Sequence, residues 1–145
     1  MTNPTHHQPS VPILAIGAAA GGLAALTTFL QALPTPTNLA FVVLWHWPAS
    51  RKKLPVDILQ AQTRLQVVQA ADGMVVQPEV VYVAPPGYNL ALEGNVLCPL
   101  KPATAKGGRT SIDAFLQGLA ASRGADAIAV ILSGTGGDGA QGVQA

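Results

Sequence analysis

The stretch Gly17-Ala18-Ala19-Ala20-Gly21 has the glycine spacing of a nucleophile elbow, G-x-S-x-G, with alanine where the serine would stand. In that motif a strand ends in a tight turn, glycines allow close backbone approach, and the middle side chain is pushed out at the mouth of a following helix. An alanine there can be presented but cannot attack, because a methyl group has neither the lone pair nor the proton that a hydroxyl gives up to a base. The surrounding pattern still reads as esterase. His46, in Trp45-His46-Trp47-Pro48, is the one histidine beyond the His6-His7 pair, and Asp138 sits in Ser133-Gly134-Thr135-Gly136-Gly137-Asp138-Gly139. A presented nucleophile, a histidine base and an aspartate that orients it are the three parts of a serine-hydrolase triad.

Each of these residues also has an ordinary structural explanation. A lone histidine at a strand end is usually structural, and an aspartate between glycines is commonly a turn residue. Placement lifts both, because all three stretches follow short apolar runs, and chemistry in open α/β sheets gathers outside the carboxyl ends of strands. The glycines do not make a dinucleotide site: Gly17, Gly21 and Gly22 miss the G-x-G-x-x-G spacing, and no G-K-[ST] occurs. No acidic residue follows the second strand to hold a ribose. No second His or Cys stands at ligand spacing from His46, and His6-His7 read as part of a solvated tail. Neither a cofactor nor a metal is expected.

Composition bounds the possible roles. The 145 residues are 49% hydrophobic and include 15 Gly, which suits one compact domain with a core. A net charge of +1 with 10% charged residues leaves no basic stripe for phosphates, so nucleic acid is not an expected partner. Arg51-Lys52-Lys53, the basic run, reads as a solvated helix start. The single cysteine, Cys98, excludes an internal disulfide, fits a reducing compartment and reads as a small buried hydrophobe. Residues 1–50 hold no Asp, Glu, Lys or Arg, yet Gly17, Gly21 and Gly22 cut the apolar stretch Val11 to Leu33 into two short runs, which argues against membrane insertion. Met1 to Ser10 lacks the basic residues of a signal peptide and is expected to be a disordered tail, with the chain cytoplasmic and the domain spanning 11–145.

Strand and helix alternate along the chain. The pattern predicts strands at Val11 to Ile16, Leu39 to Trp45, Gln66 to Val68, Val80 to Ala84 and Ala127 to Leu132. Helices are expected at Leu23 to Leu33, closed by Pro34, from about Leu54 to Thr63, and from a Ser111 cap to Arg123. Leu90 to Leu92 and Val96 to Leu100, joined by Glu93-Gly94-Asn95, read as a hairpin, and Thr104 to Gly108 as a flexible link. Strands apolar on both faces and separated by helices imply an α/β fold, a doubly wound and mostly parallel sheet with helices on both faces.

With these stretches in place, the chain resembles the catalytic domain of the chemotaxis protein-glutamate methylesterases, the CheB type. The resemblance is carried by Ile16-Gly17-Ala18-Ala19-Ala20-Gly21-Gly22, His46-Trp47-Pro48, Ala71-Asp72-Gly73, Val81-Tyr82-Val83-Ala84-Pro85-Pro86, Ser111-Ile112-Asp113 and Val130 to Gly139. Ala84-Pro85-Pro86 and Leu132-Ser133-Gly134-Thr135 are similar to versions fused to a receptor methyltransferase. The resemblance implies hydrolysis of glutamate methyl esters on the cytoplasmic helices of methyl-accepting chemoreceptors, with glutamine deamidation in some members. It also implies that His46 is the general base, that Asp138 orients it, and that Ala19 holds the position of the family's serine. No methyltransferase or receiver domain is expected within these 145 residues, and one on another chain is an expected partner.

Two departures shape the functional expectation. Losing the nucleophile of a serine-hydrolase triad removes on the order of a million-fold in turnover, so the domain is expected to be catalytically disabled while still able to recognise receptor helices. The chain also stops at Ala145, where family members continue through a helix and a further strand, so a fragment or decayed copy with an uncovered apolar face or strand edge is expected. An active esterase or amidase with another nucleophile, Ser133 or Thr135 for example, and a non-catalytic fragment that binds a signalling partner are the competing readings.

Overall fold

A computed structural model describes residues 11–18, 23–45, 55–85, 88–100, 111–123 and 127–132. The elements in chain order are β1 (Ile13–Ala18), α1 (Leu23–Ala32), β2 (Ala40–Trp45), α2 (Pro55–Gln60), β3 (Gln66–Gln69) and β4 (Met74–Val75). They continue with β5 (Val80–Val83), β6 (Asn89–Glu93), β7 (Val96–Leu100), α3 (Ser111–Arg123) and β8 (Ala127–Leu132). The expected tail at residues 1–10, the basic run Arg51-Lys52-Lys53 and the link Thr104 to Gly108 lie outside the described residues.

Five strands form a parallel sheet in the order β3-β5-β2-β1-β8. Every residue of β1 is buried, as expected for a central parallel strand that packs on both faces. Leu14, Ile16, Phe41, Val43, Val81 and Val83 point to one face, where Leu26 and Leu30 of α1 and Leu59 of α2 cover them. Ile13, Ala15, Val42, Leu44 and Tyr82 point to the other, against Phe115, Leu116 and Leu119 of α3. Helices on both faces make the fold doubly wound, as the alternating pattern predicts.

Leu90 of β6 and Leu97 of β7 join the α3-side core from a second sheet, antiparallel, in the order β4-β7-β6. The hairpin between β6 and β7 turns through Gly94 and Asn95, with Glu93 paired to Val96. Gly94 takes φ +61°, a left-handed conformation that favours glycine.

Several boundaries differ from the sequence reading for identifiable reasons. β1 runs through Gly17 and Ala18 instead of breaking at Ile16, because both residues pair on two sides: Gly17 with Leu44 and Ile131, Ala18 with Trp45 and Leu132. Two flanking ladders hold a glycine extended where an isolated strand would turn. α2 stops at Gln60, whose carboxamide then caps the descending chain. Its Nε2 donates to Leu65 O at 2.8 Å and its Oε1 accepts from Val67 N at 2.9 Å. Cys98 is partly exposed on β7, which corrects its reading as a buried hydrophobe.

Candidate functional site

The three stretches expected to carry the chemistry follow strands that end at one rim. β2, β1 and β8 are neighbours and parallel, and their last residues share one register, Ala18 opposite both Trp45 and Leu132. Ala19 follows β1, His46 follows β2, and Ser133 begins the glycine-rich stretch after β8. Adjacent strands lie about 4.8 Å apart, so the chain exits of β2 and β8 are separated by roughly 10 Å, with that of β1 between them. This order places the exit toward Ala19 centrally, the exit toward His46 on one side and that toward Asp138 on the other. Ala19, His46, Asp138 and the alternative hydroxyls Ser133 and Thr135 themselves lie outside the described residues.

The strand ends are held from both sides of the sheet. Ala84 N donates to Val43 O at 3.0 Å and Ala70 N to Val83 O at 2.8 Å, extending the ladders of β2 and β5 toward this rim. Ala18 is 1% exposed and pairs with a strand on each side, so the base of the rim is dry and backbone-paired. A rigid, paired foundation of this kind is what a catalytic constellation requires for positioning.

Cys98 is a further candidate nucleophile among the described residues. The Cys98 thiol is pushed above its ordinary range by burial first, then by the negative charges of Glu93 and Asp72, which keeps it protonated and a poor nucleophile. A cavity of about 480 Å³ lies between Leu30, Leu33, Ala61, Thr63, Arg64 and Leu65. These residues end α1 and α2 and precede β2 and β3, so the cavity belongs to the opposite, amino-terminal rim. Among the described residues no helix is long and apolar enough to cross a membrane.

The sequence model of the family described as CheB methylesterase matches residues 14–145. The chain belongs to this family. It is 36% identical over 137 residues to a protein-glutamate methylesterase/protein-glutamine glutaminase of Geobacter sulfurreducens, covering 92% of this chain and 37% of that protein. Its likeness to the protein of the same description from Halalkalibacterium halodurans is 31% over 136 residues, 91% of this chain and 39% of the relative. The chain therefore spans about two fifths of the length of these curated relatives. Its fold superposes on the crystal structure of the Thermotoga maritima CheB methylesterase catalytic domain with a TM-score of 0.83 at 32% identity, covering 94% of this chain and 74% of the other.

Proposed function

We infer that this chain is a methylesterase-like domain of bacterial chemotaxis that retains the frame for ester hydrolysis but lacks the attacking oxygen. The observation that carries this reading is the shared carboxyl-end register of β2, β1 and β8, because the stretches leaving those strands hold His46, Ala19 and Asp138. In an intact site of this kind, histidine takes the nucleophile's proton and aspartate supports the resulting imidazolium. His46 and Asp138 are assigned those two roles. With alanine at position 19 no covalent acyl intermediate forms, so what remains is recognition of the substrate protein. The substrate class is glutamate methyl ester, or glutamine, on the cytoplasmic helices of methyl-accepting chemoreceptors, and the chain works in the cytoplasm with no cofactor or metal.

Ester hydrolysis on a methylated receptor fragment tests this reading, comparing the chain as it stands with Ala19→Ser, both checked for folding by circular dichroism. Turnover only in the serine form supports a disabled methylesterase with Ala19 as the cause. Turnover by the chain as it stands overturns the assignment of the nucleophile position. Failure of a folded serine form overturns the claim that His46 and Asp138 form a competent frame.

A further inference from the structure

The antiparallel sheet has two faces of different character. Met74, Leu97, Leu90 and Leu92 turn inward to the core on the α3 side. Strict alternation then turns Val75, Val96, Cys98, Ala91 and Leu100 outward, and the pairing aligns them: Val75 opposite Val96, Cys98 opposite Ala91, Leu100 opposite Asn89. An outward sheet face is ordinarily polar. Here Val75 is 47% exposed and Leu100 49% exposed, two of the large hydrophobic side chains most open to solvent.

Two carboxylates border this face. Glu93 pairs with Val96 and its Oε1 accepts from Cys98 Sγ at 3.8 Å. Asp72 acts electrostatically on the same thiol, so both carboxylates stand around Cys98. Both are exposed, and neither has a cationic partner among the described residues. The end at Asn89 and Leu100 adjoins Tyr88, whose N donates to Pro85 O at 3.0 Å just beyond the last residues of β5. The apolar strip thus begins beside the carboxyl rim at Leu100 and runs to the row of Val96 and Val75, with Glu93 at its far end and Asp72 in the turn before β4.

We propose that the outer face of β4-β7-β6 is a docking surface for a protein segment that presents an apolar stripe flanked by lysine or arginine. The apolar row gains by leaving water, and the two exposed carboxylates that border it, without a cationic partner among the described residues, select a basic flank. A second copy of this chain is the poorer occupant. A two-fold pairing of the face brings Glu93 and Asp72 of both copies into one interface, where they lose water with no cation among the described residues of the face to meet them.

Cys98 is the single cysteine of the chain and lies in the middle of this face, so it serves as the reporter. An amphipathic leucine–lysine helical peptide of about 18 residues and its leucine–glutamate counterpart are titrated into the 145-residue chain while thiol reaction with a disulfide reagent is followed. The lysine peptide is expected to protect the thiol saturably and to bind at least about tenfold more tightly than the glutamate peptide, with the preference falling as salt rises. Val75→Ser with Leu100→Ser, both at exposed positions that leave folding intact, should weaken binding about tenfold or more. Asp72→Asn with Glu93→Gln should bring the two peptides together in affinity. Equal binding of the two peptides to the unaltered chain overturns the proposal, as does binding that ignores the Val75 and Leu100 substitutions. Concentration-dependent protection without peptide, matched by a dimer in sedimentation, assigns the face to a second copy and also overturns it. None of these readouts involves residue 19, so they stand or fall separately from the hydrolysis assay.

Discussion

Glu79 grips Thr37 twice: one carboxylate oxygen, Oε1, accepts from Thr37 N at 2.9 Å and from Thr37 Oγ1 at 3.0 Å. Its other oxygen accepts from Asn38 N, and its own N donates to Leu39 O at 2.8 Å. These contacts tie the residues before β2 to the residue before β5, two neighbours in the sheet. Both Asn38 and Glu79 hold left-handed backbone, φ +60° and +68°, a conformation that L-residues other than glycine adopt only when their surroundings hold them there. The clamp therefore sets how two core strands enter the sheet.

The donors around Glu79, Thr37 N foremost, hold its carboxyl below the ordinary value of 4.5. A depressed folded-state pKa gives stability that is present above the unfolded value and is lost as pH falls through the folded value. The urea midpoint of the unaltered chain should exceed that of Glu79→Gln from neutral pH down to about 4.5, and the gap should close below it. A gap independent of pH would assign the difference to the amide's geometry instead of the charge.

Tyr82 is 3% exposed, and its hydroxyl accepts from Gln77 N at 2.7 Å and donates to Val75 O at 3.2 Å, fastening the passage from β4 to β5. Tyr82→Phe preserves the ring but leaves Gln77 N without its acceptor, and should destabilise by about 1–2 kcal/mol in equilibrium unfolding. Burial raises the Tyr82 pKa above 10.0. A raised folded-state pKa means the contribution is intact below the unfolded value and disappears as pH rises through the folded one. The stability difference between the unaltered chain and the Tyr82→Phe variant should shrink only in strongly alkaline solution.

At Gly94, a Cβ would meet nothing within 4 Å, so substitution there is a test of backbone conformation alone. Gly94→Ala should lower stability by about 1 kcal/mol, and Gly94→Asn by less, since asparagine tolerates left-handed backbone. An unchanged midpoint for the alanine form would show that the hairpin re-forms around a different turn.

Ala18 is the last residue of β1, enclosed between the ends of β2 and β8. Ala18→Leu should destabilise by about 1–3 kcal/mol through overpacking. Introduced together with Ala19→Ser, it should also reduce the restored hydrolysis, because it disturbs the base from which position 19 is presented. Restored activity that is indifferent to residue 18 would place the functional rim elsewhere.

The fold is largely legible in the sequence because its signals are long-range in composition and short-range in pattern. α3 and β8 match their expected spans, and β8 stands out as six consecutive apolar residues after a helix. β4 is invisible there, since the two residues Met74 and Val75 form no period and owe their strand character to pairing with Leu97 and Val96. Pattern alone puts the exit of β1 two residues early, because Gly17 signals a turn only where no neighbour pairs with it. For the candidate site, residue types suggest a chemistry, whereas the adjacency of β2, β1 and β8 comes from pairing between distant segments that no local window contains. Cys98 misleads for a related reason: alternation in a short hairpin leaves its face undecided until Leu97 is seen to turn inward.

The pairing of β1 with β8 joins the first strand to the last described one, Ile13 lying beside Ala127. During synthesis β1, α1 and β2 emerge early and can pack on one another, but one edge of β1 stays open while everything up to α3 is made. Such non-local pairing is slow, and an unpaired edge is sticky while it waits. The strand ends that lead to Ala19 and to Asp138 can therefore be brought side by side only once β8 has been made, so a nascent chain shorter than β8 holds Ala19 and His46 without Asp138.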